Sequence, residues 1–290
     1  MILQLIVSGI LLGGIYALLS VGLSLVLGVS KFVHFAHGDM VMVGMYMAFS
    51  VYMFLGLNPY FSWPIVLLAA TVLGVIVFFF ARFTIGKHAM NQILFTLGLS
   101  MILQNTVLLL YRADFRSVPS PFTTSFRVGN VFIGQGLLVT FIIAVVLTAV
   151  FMLFIKYSKM GRAMRAVGDD RNAALLVGIP VGRVDLITFC IGAVLACLAG
   201  ALLMTIYPTT PSIGMGYNLI AWVTVVLGGL GYLQGTLVAA FLIAITETVS
   251  GFYLGADMRQ VVYFIMFIIV VIAQPKGLFS GVSMRKVKRT

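Results

Sequence analysis

Acidic side chains are scarce in this sequence: seven aspartates and glutamates stand among 290 residues, and all charged residues together make up 9%. A typical soluble protein carries about 25% charged residues, so there is too little polar surface here to solvate a water-facing globule. Cysteine is nearly missing too. Cys190 and Cys197 lie seven positions apart in one apolar run, where a helix separates their α-carbons by roughly 10 Å, beyond the ~7 Å reach of a disulfide. They read as small packing residues. No lysine or arginine precedes Lys31, so the basic start of a cleavable signal peptide is lacking and the first apolar segment is expected to be retained.

Apolar residues are abundant. They form 62% of the chain, roughly 180 residues, about enough for nine membrane spans of ~20 residues each. The net charge of +11 does not point to nucleic acid, because the basic residues sit between and after the apolar runs, where headgroups and aqueous loops meet them. The runs fall at 5 to 29, 40 to 57, 61 to 81, 93 to 111, 136 to 155, 184 to 206, 218 to 230, 236 to 254 and 260 to 273. The expected fold is an all-α polytopic membrane protein with about eight to ten transmembrane helices. The runs at 218 to 230 and 260 to 273 are short, which allows interrupted or re-entrant helices.

Lysine and arginine set the expected orientation. An amino terminus outside places Lys31, Arg82, Lys87, the six basic residues from Lys156 to Arg183, Lys276 and the four from Arg285 to Arg289 in the cytosol, and leaves Arg112, Arg116, Arg127 and Arg259 outside. The carboxyl terminus is then cytosolic. Residues 1 to 290 form one transmembrane domain with an external loop at 112 to 135 and an internal loop at 156 to 183. The external loop contains Pro119, Pro121 and the alternation Phe126-Arg127-Val128-Gly129, which suits an irregular cap with a short hairpin. Small residues four apart, Gly9 and Gly13 or Gly192, Ala196 and Gly200, predict close helix crossings.

The internal loop has a pattern of its own. Gly161 to Gly168 favours a short helix, Asp169-Asp170 offers a cap for a second from Arg171 to Val177, and Gly178 with Pro180 stops it. Helices this short need a docking surface to stay ordered. Ala163, Met164, Ala166 and Val167 provide apolar contacts among cations, and either the headgroup surface or a partner protein can receive them.

Four motifs in order resemble the permease subunits of bacterial branched-chain amino acid ABC importers. The loop matches at Gly161, Arg162, Arg165, Ala166, Ala173, Ala174, Gly178 and Ile179. Ile15-Tyr16-Ala17-Leu18 with Phe35-Ala36-His37-Gly38-Asp39 and Gly44 is a second match. Leu227 to Gly231 with Gly235 is a third, and Pro275-Lys276-Gly277-Leu278-Phe279 is a fourth. One departure is His34, where the family usually has asparagine. The resemblance implies an inner-membrane permease that pairs with a second, similar permease, two cytosolic ATPase subunits and an external solute-binding protein. It also implies that Gly161, Arg162, Arg165, Ala166, Asp170 and Gly178 couple to the ATPase, which carries the ATP and magnesium, and that the solute is leucine, isoleucine, valine or a similar amino acid. The sequence agrees with energy supplied by a partner: Gly86-Lys87 is the nearest approach to a phosphate-binding loop, but Ala81 stands at the first glycine position and no serine or threonine follows the lysine. No cofactor or metal is expected on this chain.

Polar residues inside or beside the spans are candidate pathway or gate groups: His37, Gly38, Asp39, Gln104, Asn105 and Glu247. His34 and His37 have a spacing that a metal could use on a helix. Their place at a membrane boundary among Phe32, Phe35 and Gly38 instead favours hydrogen bonds that close an irregular turn. Glu247 is the one acid deep within an expected span, so it marks a hydrophilic cavity or a helix-helix hydrogen bond, with Thr246, Thr248, Gln104 and Asn105 as available partners. The competing function is a proton-coupled secondary transporter using Glu247. An intramembrane enzyme built on His34, His37 and Asp39 lacks a convincing nucleophile and ranks lower.

Overall fold

The order of elements was obtained from a computed structural model, which describes residues 1–122, 124–129, 131–255, 258–274 and 277–278. Five long helices come first: α1 (Ile2–Ser30), α2 (His37–Leu55), α3 (Trp63–Ala81), α4 (Ala89–Tyr111) and α5 (Gln135–Tyr157). Two short ones follow, α6 (Lys159–Asp169) and α7 (Arg171–Leu176). The chain continues with α8 (Val181–Leu203), α9 (Gly214–Gly228), α10 (Leu233–Tyr253) and α11 (Met258–Ala273). Among the described residues seven helices are long and apolar enough to cross a membrane: α1 to α5, α8 and α10. The two apolar runs noted as short are α9 and α11, with 15 and 16 residues, just under the ~17 that a full crossing requires.

Hydropathy alone does not assign α1 and α4 their places, since both are long, apolar and free of charged residues. Packing separates them. The most apolar stretch of α1 is 89% buried, whereas that of α4 is 11% buried, so α1 is the central post and α4 a peripheral rod. Helices α5, α8, α9 and α10 pack on α1, and α2 and α3 pack on α8. The close crossings fall where glycine was expected to allow them. A β-carbon on Gly9 or Gly13 would meet Ile245 or Phe241 of α10, one on Gly192 would meet Val26 of α1, and one on Gly200 would meet the Val41 carbonyl of α2. Backbones approach closely there, and dispersion replaces the hydrophobic drive that lipid cannot supply. Both cysteines are free, as their spacing requires, and both lie on α8.

Between α1 and α2 the chain turns back into the bundle. Lys31 takes a left-handed conformation (φ 52°), and the His37 Nε2 atom then hydrogen-bonds the Leu19 carbonyl at 3.0 Å. Leu19 precedes the end of α1 by eleven residues, a climb of roughly 16 Å along the helix axis. Residues 31–36 therefore form a re-entrant segment, with Phe32, His34 and Ala36 buried. Non-helical backbone is tolerated at this depth because protein, not lipid, surrounds it; Gln92 of α4, for example, accepts the Val33 N–H at 2.9 Å.

The loop at 112–135 contains the hairpin suggested by its alternation. Strand β1 (Ser125–Val128) pairs antiparallel with β2 (Val131–Gly134), and Gly129 in the turn has φ 60°. Gln4 fastens the hairpin to the start of α1: its amide donates to the Phe132 carbonyl at 2.6 Å and accepts the Phe132 N–H at 2.7 Å. At the other end of the bundle the third and fourth motifs meet. The Leu278 N–H donates to the Leu227 carbonyl at 2.9 Å. Of the fourth motif, Pro275, Lys276 and Phe279 lie outside the described residues, as do the basic residues from Arg285 to Arg289.

Candidate coupling loop and polar pathway

The segment joining α5 to α8 folds as its punctuation predicts. Ser158 Oγ accepts the Gly161 N–H at 2.8 Å and caps α6. Asp170 Oδ1 accepts the N–H groups of Asn172 and Ala173 at 2.9 and 3.0 Å and caps α7, which satisfies donors that the first turn leaves free. Gly178 ends α7 with φ 80°. Gly161 is a close-approach position, since a β-carbon there would strike the Ile155 carbonyl.

The apolar residues of α6 do not project outward. Met164 and Val167 are buried against the protein's own bundle, and Ala166 is half-buried. The arginines turn back as well. Arg162 donates to the Tyr157 carbonyl at 3.1 Å, and Arg165 donates to the carbonyls of Ile155 and Lys156. Both cap the end of α5, where partial negative charge accumulates. The exposed apolar group is instead Leu175, Leu176 and Val177 at the tip of α7, with Leu176 88% exposed. Sequence reasoning looked at the apolar face of α6 and passed over this triplet, although its place immediately before Gly178 was a usable signal.

Behind the tip lies an acid that the sequence reading also passed over. Asp185, 1% exposed on α8, receives Arg171 of α7 through both carboxylate oxygens, at 3.2 and 2.5 Å, and accepts Ser30 Oγ of α1 at 2.8 Å. Asp39 is likewise 1% exposed, so two acids besides Glu247 are enclosed by the bundle.

Asp39 stands in the first turn of α2, and Gln104 of α4 donates to its Oδ1 at 2.9 Å. The neighbouring Gly38 N–H donates to Asn218 Oδ1 of α9 at 3.3 Å, and a β-carbon on Gly214 would collide with Asp39. His37, Gly38, Asp39 and Gln104 are therefore brought together, joined by Asn218, which the sequence did not single out. Asn105 is not part of the cluster; it is exposed and bonds the Met101 carbonyl one turn back on α4. Of the two histidines, His37 has the hydrogen bond expected of an irregular turn, whereas neither ring nitrogen of His34 has a partner. Among the described residues no three histidine, cysteine, aspartate or glutamate side chains converge as a metal site.

Glu247 occupies a different place, and none of its expected partners reaches it. Gln104 is taken by Asp39, while Thr246 and Thr248 donate to the Leu242 and Ala244 carbonyls of their own helix. Instead Glu247 lines a cavity of about 320 Å³ with Tyr16, Tyr207, Tyr217 and Arg259. The cavity is remote from the coupling loop. The chain enters α8 directly from that loop, so Tyr207, just beyond the other end of α8, lies on the far side of the bundle.

These features define a class: a multi-pass helical membrane protein with a re-entrant segment, a polar interior and a braced loop at one end. The family model for the permease component of branched-chain amino acid transport systems matches residues 5–271, and the chain belongs to that family. It is 32% identical over 308 residues to the high-affinity branched-chain amino acid transport system permease protein LivH of Salmonella typhimurium, covering 98% of this chain and 97% of the relative. The same identity and coverage hold for LivH of Escherichia coli K12. The permease protein BraD of Pseudomonas aeruginosa is 30% identical over 300 residues, covering 98% of both chains. No solved structure matches. The protein is accordingly a transport permease of the inner membrane.

Proposed function

We propose that this chain is the membrane-spanning subunit of an ATP-driven, binding-protein-dependent importer of leucine, isoleucine, valine or similar amino acids. The observation that carries the reading is the α7 tip: three consecutive exposed apolar residues on a helix braced to the bundle by Arg171 and Asp185. An apolar knob on a rigid mount fits a groove on a partner ATPase and can pass its movement on to α8 and α1, which share the Asp185 contacts. The excess of basic residues around this loop supports a cytosolic loop and an amino terminus outside. ATP and magnesium stay on two ATPase subunits. A solute-binding protein delivers cargo to the opposite face. The exposed sides of α4 suit a second permease, with the Asp39–Gln104 cluster between α2 and α4 near that seam.

The test is to replace Leu176 with aspartate in the assembled importer. Uptake is expected to fall on the order of 10-fold or more, as for truncation of an interface anchor, with membrane abundance unchanged and the ATPase no longer co-purifying in normal yield. Uptake that survives deletion of the ATPase and collapses with an uncoupler would instead establish the proton-coupled reading centred on Glu247.

A further inference from the structure

The cavity around Glu247 holds opposite charges that do not neutralise each other directly. Among the described residues the ion pairs within 4.0 Å are Arg116–Asp114 and Arg171–Asp185. Glu247 and Arg259 line one cavity, close enough to interact electrostatically, yet form no such pair. The Glu247 Oε2 atom is buried and has no hydrogen-bond partner. A carboxylate at this depth is costly without a counter-charge or water. Something cationic that fits beside it would remove that cost.

The arginine is held in place. Gly251 lies one turn beyond Glu247 on α10, and a β-carbon there would collide with the Arg259 Nε atom. The missing side chain lets the guanidinium lie on α10, on the same helix as Glu247 but displaced along it. Tyr16 adjoins the carboxylate from α1. Tyr207, Gly216 and Tyr217 also line the cavity, and Pro208, Ile213 and Ile220 form an apolar wall. The volume, about 320 Å³, is at the small end of the ~300–1,000 Å³ range of small-molecule pockets.

We propose that this cavity is a receiving site for an aliphatic α-amino acid on its way through the permease, with Arg259 taking the α-carboxylate, Glu247 the α-ammonium and the Pro208–Ile213–Ile220 wall the hydrocarbon side chain. The separation of the two charges selects a zwitterion over a simple cation or anion, because a ligand with one charge leaves the other protein group without a partner. The assignment rests on the importer reading and adds to it the chemistry that the membrane subunit itself recognises. Its position away from the coupling loop is the side on which a binding protein would release cargo.

Two measurements on the complete importer in cells test it. In the first, Arg259→Gln and Glu247→Gln are each expected to lower leucine uptake efficiency by about 10-fold or more, the scale for losing one member of a buried charge contact, with ATPase activity retained, while Arg259→Lys keeps part of the uptake. In the second, Cys190 and Cys197 are replaced with alanine and Pro208→Cys is labelled with a membrane-impermeant maleimide, leaving both charged residues intact. Leucine is expected to slow labelling, and leucinamide, which lacks the carboxylate, and 4-methylpentanoate, which lacks the ammonium, are not. Unchanged uptake in the glutamine variants, or labelling that leucine fails to slow or that all three compounds slow equally, overturns the assignment. If the glutamine variants do not assemble, the labelling result decides. A wild-type complex that takes up no amino acid removes the importer reading itself, an outcome distinct from failure of this site.

Discussion

Arg171 grips Asp185 through both carboxylate oxygens, and the two ends of this pair differ in their access to water: the arginine side chain is 38% exposed, the aspartate 2%. The asymmetry predicts unequal mutants. Removing Arg171 leaves a buried carboxylate whose remaining partner is the Ser30 hydroxyl, and stranding a buried charge costs roughly 3–5 kcal/mol. Removing Asp185 frees a cation that can turn toward water. Arg171→Met should therefore lower thermal stability and uptake more than Asp185→Asn, and the double variant should recover part of the loss. Melting of the detergent-purified protein checks the order, and equal effects from the two single changes would show that α7 is held by something else.

The Asp39–Gln104 bond makes a second prediction. Asp39 is buried in the first turn of α2, where a negative charge is favoured by the helix amino terminus, and its Oδ1 accepts the Gln104 amide. Asp39→Ala removes one of the two acceptors of the half-buried Gln104 amide and leaves the bond to Ser100 Oγ at 3.1 Å, a cost of about 1–3 kcal/mol for the unpaired N–H. Uptake per molecule is expected to fall sharply. Asp39→Asn keeps an acceptor oxygen in the same place and should retain more of it. Radiolabelled leucine uptake, normalised to membrane abundance, measures both, and wild-type rates for the alanine variant at normal expression would remove Asp39 from the pathway.

The parts of the molecule that could be read from sequence are those decided within a few residues of each other. Apolar runs become helices, Asp170 and Gly178 delimit α7, and Phe126 to Gly129 begin a hairpin because caps and turns are local chemistry. Which polar groups meet is not local. Gln104 finds Asp39 across 65 positions, although proximity in kind suggested Glu247 as its partner. The depth of residues 31–36 was hidden for a related reason. Nothing in Lys31 to Ala36 specifies a climb beside α1; the His37 bond to Leu19 does, through packing between separate helices. The apolar runs of α1 and α4 likewise do not announce how many neighbours each helix has, and the two differ widely in burial.

The crossing of α2 with α8 shows what glycine contributes in such a bundle. A β-carbon on Gly44 would enter the Cys197 carbonyl, and one on Gly200 would enter the Val41 carbonyl, so each helix presents a glycine to the other's backbone. The approach lets Cys197 Sγ donate to the Met40 carbonyl at 3.2 Å. Because the obstructing atoms are backbone, they cannot swing aside as a side-chain end would. Gly44→Ala or Gly200→Ala should destabilise the protein by on the order of 1–3 kcal/mol through forced separation of the helices. Gly98→Ala and Gly182→Ala place the same methyl group where nothing lies within 4 Å; Gly98 is inside α4, where alanine is preferred to glycine by about 1 kcal/mol, and Gly182 is in the first turn of α8, where that preference is smaller. Those two changes should be neutral or stabilising. Thermal midpoints of the four variants separate steric crossing from helix propensity: if all four shift in the same direction, propensity governs and the close contact of α2 with α8 is not what holds them together.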